Sequence, residues 1–306
     1  MAAYLELCHS GELKERIKLA RALLQNCHLC PRHCSVNRLE GKVGVCRTAR
    51  EAIVSSYSPH FGEEAPLVGR RGSGTIFFTN CNLRCLFCQN YSISQLGEGE
   101  KVSQEELAYM MLSLQKRGCH NINLVSPTHV VSQILEALEV AADLGLRLPL
   151  VYNTGGYDTV RTLRILDGIV DIYMPDMKYS NEKIAKELSG IAHYPQINKL
   201  AVKEMHRQVG DLNLANGIAQ RGLLIRHLVL PNNLAGTKEV VNFLAREISP
   251  NTYVNIMAQY HPCHKAPDIP VLARRISPTE FQEAIELAHQ AGLSRLDKAS
   301  PVVLRL

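Results

Sequence analysis

Three cysteines stand close together in this chain, Cys81, Cys85 and Cys88, at the spacing C-x3-C-x2-C. Soft thiolates at such spacing suit iron–sulfur clusters or zinc. A [4Fe–4S] cluster held wholly by protein takes four cysteines; here there are three and no local fourth. An iron without a protein ligand is an open position, and open positions are where bound metals do chemistry. The bland alternative is a structural zinc loop that borrows a distant cysteine. A second group, Cys27, Cys30, Cys34 and Cys46, has the spacing C-x2-C-x3-C-x11-C, with the turn-forming Gly41 and Gly44 before its last member. Four ligands close a coordination sphere, the mark of a structural site. Zinc and a second iron–sulfur cluster suit it equally. His28 and His33 read as exposed neighbours of that loop, and Cys8, Cys119 and Cys263 as small buried apolar groups.

These residues need elements to place them. Gly74–Phe78 is a run of β-branched and aromatic residues and reads as a buried strand, so the three cysteines lie on the loop leaving it. A helix is expected over 11–26, and residues 50–73, rich in proline and glycine, read as an irregular connector. Beyond the loop the pattern alternates. Strands are expected at 121–125, 148–152, 168–174, 223–230 and 253–257, with helices at 130–144, 158–166, 180–189, 194–208 and 236–247. Capping boxes Ser103/Glu106 and Ser277/Glu280 open two more helices, the last closing at Gly292. Alternating βα units imply a parallel sheet with right-handed crossovers. Six units are fewer than the eight of a closed barrel, so the expected fold is α/β, a partial (β/α)6 TIM-like barrel. Residues 1–55 are expected to form an N-terminal helix and four-cysteine module, and 56–306 the core.

In such folds ligands bind at the C-terminal ends of the strands. Polar residues collect there: Ser126, Thr128 and His129 after the second strand, Asn153 and Thr154 after the third, Asp176 and Lys178 after the fourth, Gln259 and His261 after the sixth. Arg226 lies within the fifth.

The Cys81–Cys88 loop, with Phe87 before its last cysteine, resembles the cluster loop of the radical S-adenosylmethionine (radical SAM) enzymes. That resemblance implies a [4Fe–4S] cluster on Cys81, Cys85 and Cys88 whose open iron meets SAM. It also implies reductive cleavage of SAM, hydrogen abstraction by the resulting 5′-deoxyadenosyl radical, and an electron donor such as a flavodoxin or ferredoxin. Over residues 72–265 the order of motifs is similar to the pyruvate formate-lyase activating enzymes, which install a glycyl radical on a partner enzyme. By this likeness Asp176 helps hold a monovalent cation, Lys178 and Arg226 meet the SAM carboxylate, His261 approaches the ribose and Phe87 packs near the adenine. Ser126-Pro127-Thr128 stands where that branch has Gly-Gly-Glu, and Asn153 where it has an aspartate. With the four-cysteine start, these departures point to a separate, uncharacterised branch related to the activases, with an unidentified substrate that includes a glycyl-radical enzyme among the options.

Composition bounds the rest. The 306 residues carry 46% hydrophobic and 21% charged side chains and a net charge of +5, ordinary for a globular protein. No run approaches the about 18 apolar residues of a membrane span. The opening residues lack the pattern of an export signal, and clustered cysteines suit a reducing cytoplasm. A competing class is a non-catalytic zinc module on nucleic acid, but there is no tryptophan and no basic stripe interleaved with aromatics. A two-cluster electron-transfer protein is the other alternative, and it leaves the polar rim unexplained.

Overall fold

The computed structural model describes residues 2–297. Nine strands among them form one sheet: β1 Ala52–His60, β2 Ser73–Phe78, β3 Glu100–Val102, β4 Ile122–Val125, β5 Leu150–Thr154, β6 Ile172–Pro175, β7 Asn213–Ala215, β8 Ile218–Leu228 and β9 Tyr253–Met257. Strands β2, β4, β5, β6, β8 and β9 run parallel in that order. These are the six strands of the expected partial barrel, and among the described residues β2 and β9 do not pair to close it. Each is nearly continuous in apolar residues because helices cover the outside while the inside is filled.

The helices are α1 Tyr4–Ser10, α2 Glu12–Gln25, α3 Ala65–Val68, α4 Gln104–Lys116, α5 Val131–Asp143, α6 Val160–Ile165, α7 Glu182–Ser189, α8 Tyr194–Val209, α9 Thr237–Phe243 and α10 Pro278–Ala291. Both capping boxes form: Ser103 Oγ accepts from Glu106 N–H while Glu106 accepts from Ser103 N–H, and Ser277 and Glu280 do the same.

Residues 50–73 depart from the expected irregular connector. They contain the nine-residue β1, which pairs antiparallel with β2, and the short helix α3. Pro59 concealed the strand. It is tolerated because β3 pairs with β1 only at Ala52–Val54, so the proline has no ladder neighbour on that side. Strands β3 and β7 and helix α1 were also not anticipated; each is short and carries no clear period. Strand β1 runs through position 55/56, and Tyr4, Leu5, Leu13 and Leu24 of α1 and α2 share one core with Leu135 and Leu138 of α5.

The segment His60–Val68 bridges the two ends of the parallel run. Leu67 O accepts from Asn121 Nδ2 ahead of β4, and Glu64 accepts from Asn255 Nδ2 of β9. Leu67 then packs with Val151, Ile172, Met174 and Leu224 to plug the base of the barrel.

Candidate active site

At the opposite end, a cleft of about 160 Å³ opens at the C-terminal ends of the parallel strands. Cys81, Cys85 and Cys88 line it, with Phe87, Ser126, Asn153, Asp176, Lys178 and Arg226. All nine were named from the sequence. The chain enters the loop through Asn80, whose φ of 70° is a left-handed conformation that asparagine accepts more readily than most residues. Leu86 N–H donates to Leu188 O, and Lys265 N–H donates to Leu86 O, so the loop is tied to α7 and to the segment after β9.

None of the cysteines is in a disulfide. Each sulfur in the loop has a hydrogen-bond partner: Leu83 N–H donates to Cys81 Sγ at 3.4 Å, Ser189 Oγ to Cys85 Sγ at 3.0 Å, and Ser94 Oγ lies 3.1 Å from Cys88 Sγ. Donors aimed at sulfur suit ligating thiolates. Burial pushes the Cys81 thiol up to about 12, so a metal must replace the proton for the thiolate to form. Three such sulfurs on one loop fit a three-cysteine cluster site.

Across the cleft, Asp176 is clasped from two sides. Lys178 Nζ donates to Oδ2 at 2.6 Å and Arg226 Nε to Oδ1 at 3.0 Å. The side chains are only 13%, 18% and 22% exposed for Asp176, Lys178 and Arg226. Burial opposes ionisation of Asp176, but the charges of Lys178 and Arg226 outweigh it and hold its carboxyl below the usual range. Both cations are raised in turn, Asp176 being the main attraction against burial.

Three expected rim residues, Thr128, His129 and His261, do not join the cleft lining. Thr128 is 2% exposed and spends its hydroxyl on Asp158 Oδ1 at 2.8 Å and Thr154 Oγ1 at 2.9 Å. His261 sits outside, with Nδ1 3.1 Å from Gln89 Nε2. Ser126 lines the cleft with φ 58°, a left-handed backbone that favours glycine. Phe87 is 4% exposed, edge-on to Tyr179 and Tyr260. Sequence reading missed Ser94 and Ser189, whose hydroxyls are ordinary until the fold brings them to the sulfurs.

Cys27, Cys30, Cys34 and Cys46 also converge, lining a small enclosed cavity of about 10 Å³ with Arg38 and His129. A Cβ added at Gly44 would lie 2.6 Å from Cys34 Sγ, so the glycine keeps room for the sulfurs. Arg38 is 1% exposed. It donates to the carbonyls of Ala49 and His129, and no carboxylate among the described residues pairs with it. A buried cation needs opposing charge, and a set of metal-bound thiolates would provide it. These cysteines therefore fit a metal site, although among the described residues no three such side chains already stand at single-ion spacing.

Two arginines bridge the cysteine groups. Arg32 Nε donates to Asn82 O at 2.9 Å, and Arg84 Nη2 donates to Val45 O at 2.6 Å.

His129 stands behind the loop, 1% exposed, with Nε2 3.0 Å from Thr79 O. Burial, then the Arg38 charge, push its pKa from 6.5 down to about 4. The folded state therefore holds it neutral. Its contribution is fully present above pH 6.5 and is lost as pH falls toward 4, by about 3 kcal/mol in all. Urea titrations across this window will show that loss, and a His129→Gln variant will lack that part of it.

The Radical SAM superfamily domain matches residues 75–244, more than half of the chain. With the open cysteine loop at the rim of a six-stranded partial barrel, the chain belongs to that superfamily, whose members are enzymes that use a [4Fe–4S] cluster and SAM. An uncharacterised protein of Methanocaldococcus jannaschii is 34% identical over 94% of this chain and 82% of its own length. A second uncharacterised protein of that organism is 24% identical over 87% of this chain and 77% of its own. Among solved structures, a radical SAM methyltransferase from Sphaerobacter thermophilus is similar in fold, with a TM-score of 0.53 at 15% identity over 75% of this chain and 67% of that one. HydG, a maturase of the [FeFe]-hydrogenase, has a TM-score of 0.50 at 12% identity, over 70% of this chain and 47% of that one. No helix among the described residues is long and apolar enough to cross a membrane.

Proposed function

We propose that this chain holds a [4Fe–4S] cluster on Cys81, Cys85 and Cys88, binds SAM in the cleft beside it, and abstracts hydrogen from a substrate lodged in the barrel interior. The observation that supports this best is that the three cysteines open on the same cleft as the Asp176–Lys178–Arg226 network. When bound, the cluster supplies the electron for reductive cleavage of SAM.

The chain's own residues do the positioning. Lys178 and Arg226 offer fixed cations to the SAM carboxylate, and a guanidinium suits paired hydrogen bonds to it. Asp176 keeps both cations charged and aimed. Ser126 and Asn153 offer polar contacts at the rim, and Phe87 closes the adenine side. Each Asp176 oxygen keeps a lone pair beyond its bond to Lys178 or Arg226, so a monovalent cation beside it is compatible with this reading. The four N-terminal cysteines are read as a second metal site, zinc or iron–sulfur, packed on the barrel through Arg32 and Arg84. We place the protein in the reducing cytoplasm. A flavodoxin- or ferredoxin-type donor would approach the face carrying Arg32, Arg47 and Arg84. Activation of a glycyl-radical enzyme remains a narrower reading within this class.

The test is anaerobic reconstitution with SAM and a low-potential reductant. Formation of 5′-deoxyadenosine and a SAM-shifted EPR signal are expected. Their absence from a sample fully loaded with iron would overturn the reading; a protein holding zinc alone with salt-sensitive nucleic-acid binding would return it to the non-catalytic class. A Cys30→Ala variant should lose the N-terminal metal and be destabilised in urea, because a structural site contributes folding energy. An unchanged midpoint would contradict that role.

A further inference from the structure

The barrel interior is layered, and one layer has no role in the reading above. Along each parallel strand alternate residues face inward. Val125, Leu228 and Met257 line the cleft; two positions deeper on the same face are Asn123, Arg226 and Asn255. Below them lies the apolar plug around Leu67. Into this middle layer the segment after β1 inserts two consecutive carboxylates, Glu63 and Glu64. Glu63 is committed: His60 Nδ1 lies 3.0 Å from its Oε1 and Arg226 Nη1 lies 3.6 Å from its Oε2. Glu64 is 3% exposed; its Oε1 accepts from Asn255 Nδ2 at 2.8 Å, and its Oε2 has no partner. Asn123, on a different strand, is fully buried; neither atom of its amide makes a hydrogen bond of good geometry, although the side chain stands near enough to Glu63 to help hold that carboxyl down.

Two buried polar side chains from separate elements, both left unsatisfied, are costly to keep unless something occupies the layer. The charges indicate what. Three carboxylates, Glu63, Glu64 and Asp176, share this interior with two fixed cations, Lys178 and Arg226; of the three, Glu64 alone makes no ion-pair contact, and Arg226 attracts it only at longer range. An anionic ligand at this level would meet the carboxylates of Glu63 and Glu64, since the cations Lys178 and Arg226 reach the cleft above. A cationic group bearing N–H donors would find Glu64 Oε2 and Asn123 Oδ1 as acceptors.

We infer that this layer recognises a cationic, N–H-bearing end of the substrate, a primary ammonium or guanidinium group, through Glu64 and Asn123. The inference rests on the reading of the cleft as the SAM site, because it places the substrate one layer beneath. Arg226 joins the two levels: it lines the cleft and touches Glu63.

The test is calorimetric titration of the reconstituted holoenzyme, with and without SAM, using three probes of one size: n-butylammonium, n-butanol and butyrate. Butylammonium is expected to bind about tenfold or more tightly than the other two. Glu64→Gln and Asn123→Leu are each expected to weaken it about tenfold, leaving the SAM-induced EPR shift intact. Glu64→Gln should also raise the melting temperature, since burial disfavours the charge it removes. If the wild type does not distinguish butylammonium from butanol, the inference is wrong. If the variants change only the melting temperature, the layer is structural and the inference is again wrong. Failure of SAM itself to bind would count against the cleft reading instead, and the titration without SAM would still decide the amine site.

Discussion

A Cys85→Ala variant, reconstituted beside the wild type, will fail to hold the loop cluster, and its formation of 5′-deoxyadenosine will fall to background, while the protein stays folded. The separation follows from where the residue sits. Its Sγ makes one hydrogen bond, from Ser189 Oγ. The loop is anchored instead through the backbone, by Leu86 N–H to Leu188 O, Lys265 N–H to Leu86 O and Asn80 N–H to Ile93 O. Removing one sulfur leaves those bonds in place, at a stability cost of about 1–2 kcal/mol. Three cysteines already leave one iron open, so losing another leaves too few ligands for the cluster. Iron content and urea denaturation on one preparation check both halves. A variant that keeps its cluster iron and still cleaves SAM would show that Cys85 is not a ligand.

Replacing Arg226 by leucine will be the most destabilising single change in the cleft, at about 3–5 kcal/mol. The guanidinium touches Asp176 on one side and Glu63 on the other. Both carboxylates are buried, and both are held below the usual range against burial, Asp176 chiefly by Lys178 and then Arg226, Glu63 by His60 and then Arg226. Without Arg226, Glu63 keeps only an imidazole and Asp176 only Lys178, so charge stays buried with less to balance it. SAM affinity is expected to fall as well, because one of the two cations proposed for its carboxylate is gone. An Arg226→Lys variant restores charge but not the planar fork and will recover only part of either loss. A leucine variant within about 1 kcal/mol of the wild type would show the network to be solvated.

The parallel core was legible in the sequence because six apolar runs alternate with helical periods and end in polar residues, and eleven of the residues read there line one cleft. What escaped notice did so for physical reasons. Strand β1 carries Pro59, which suggests a turn until one knows that its partner β3 stops short. Thr128 has the right type and place, but Asp158, thirty residues on, turns it inward. Glu63 and Glu64 sit between glycine and proline and read as surface loop; only the bridge from β1 across the barrel base shows Glu64 buried and the Glu63 side chain turned inward. Each of these depends on contacts between distant positions, which local pattern does not carry.

One such contact bears on how the protein is made. Gln89, next to the last loop cysteine, donates from Nε2 to Gln259 O, 170 positions away, and Lys265 closes on Leu86 from the same late segment. Contacts of that span are the slowest to form. The cysteine loop is therefore synthesised well before the wall that secures it, so a nascent chain presents the three thiols on an open rim. Iron delivered at that stage would meet little steric hindrance, and residues 259–265 would then close over it.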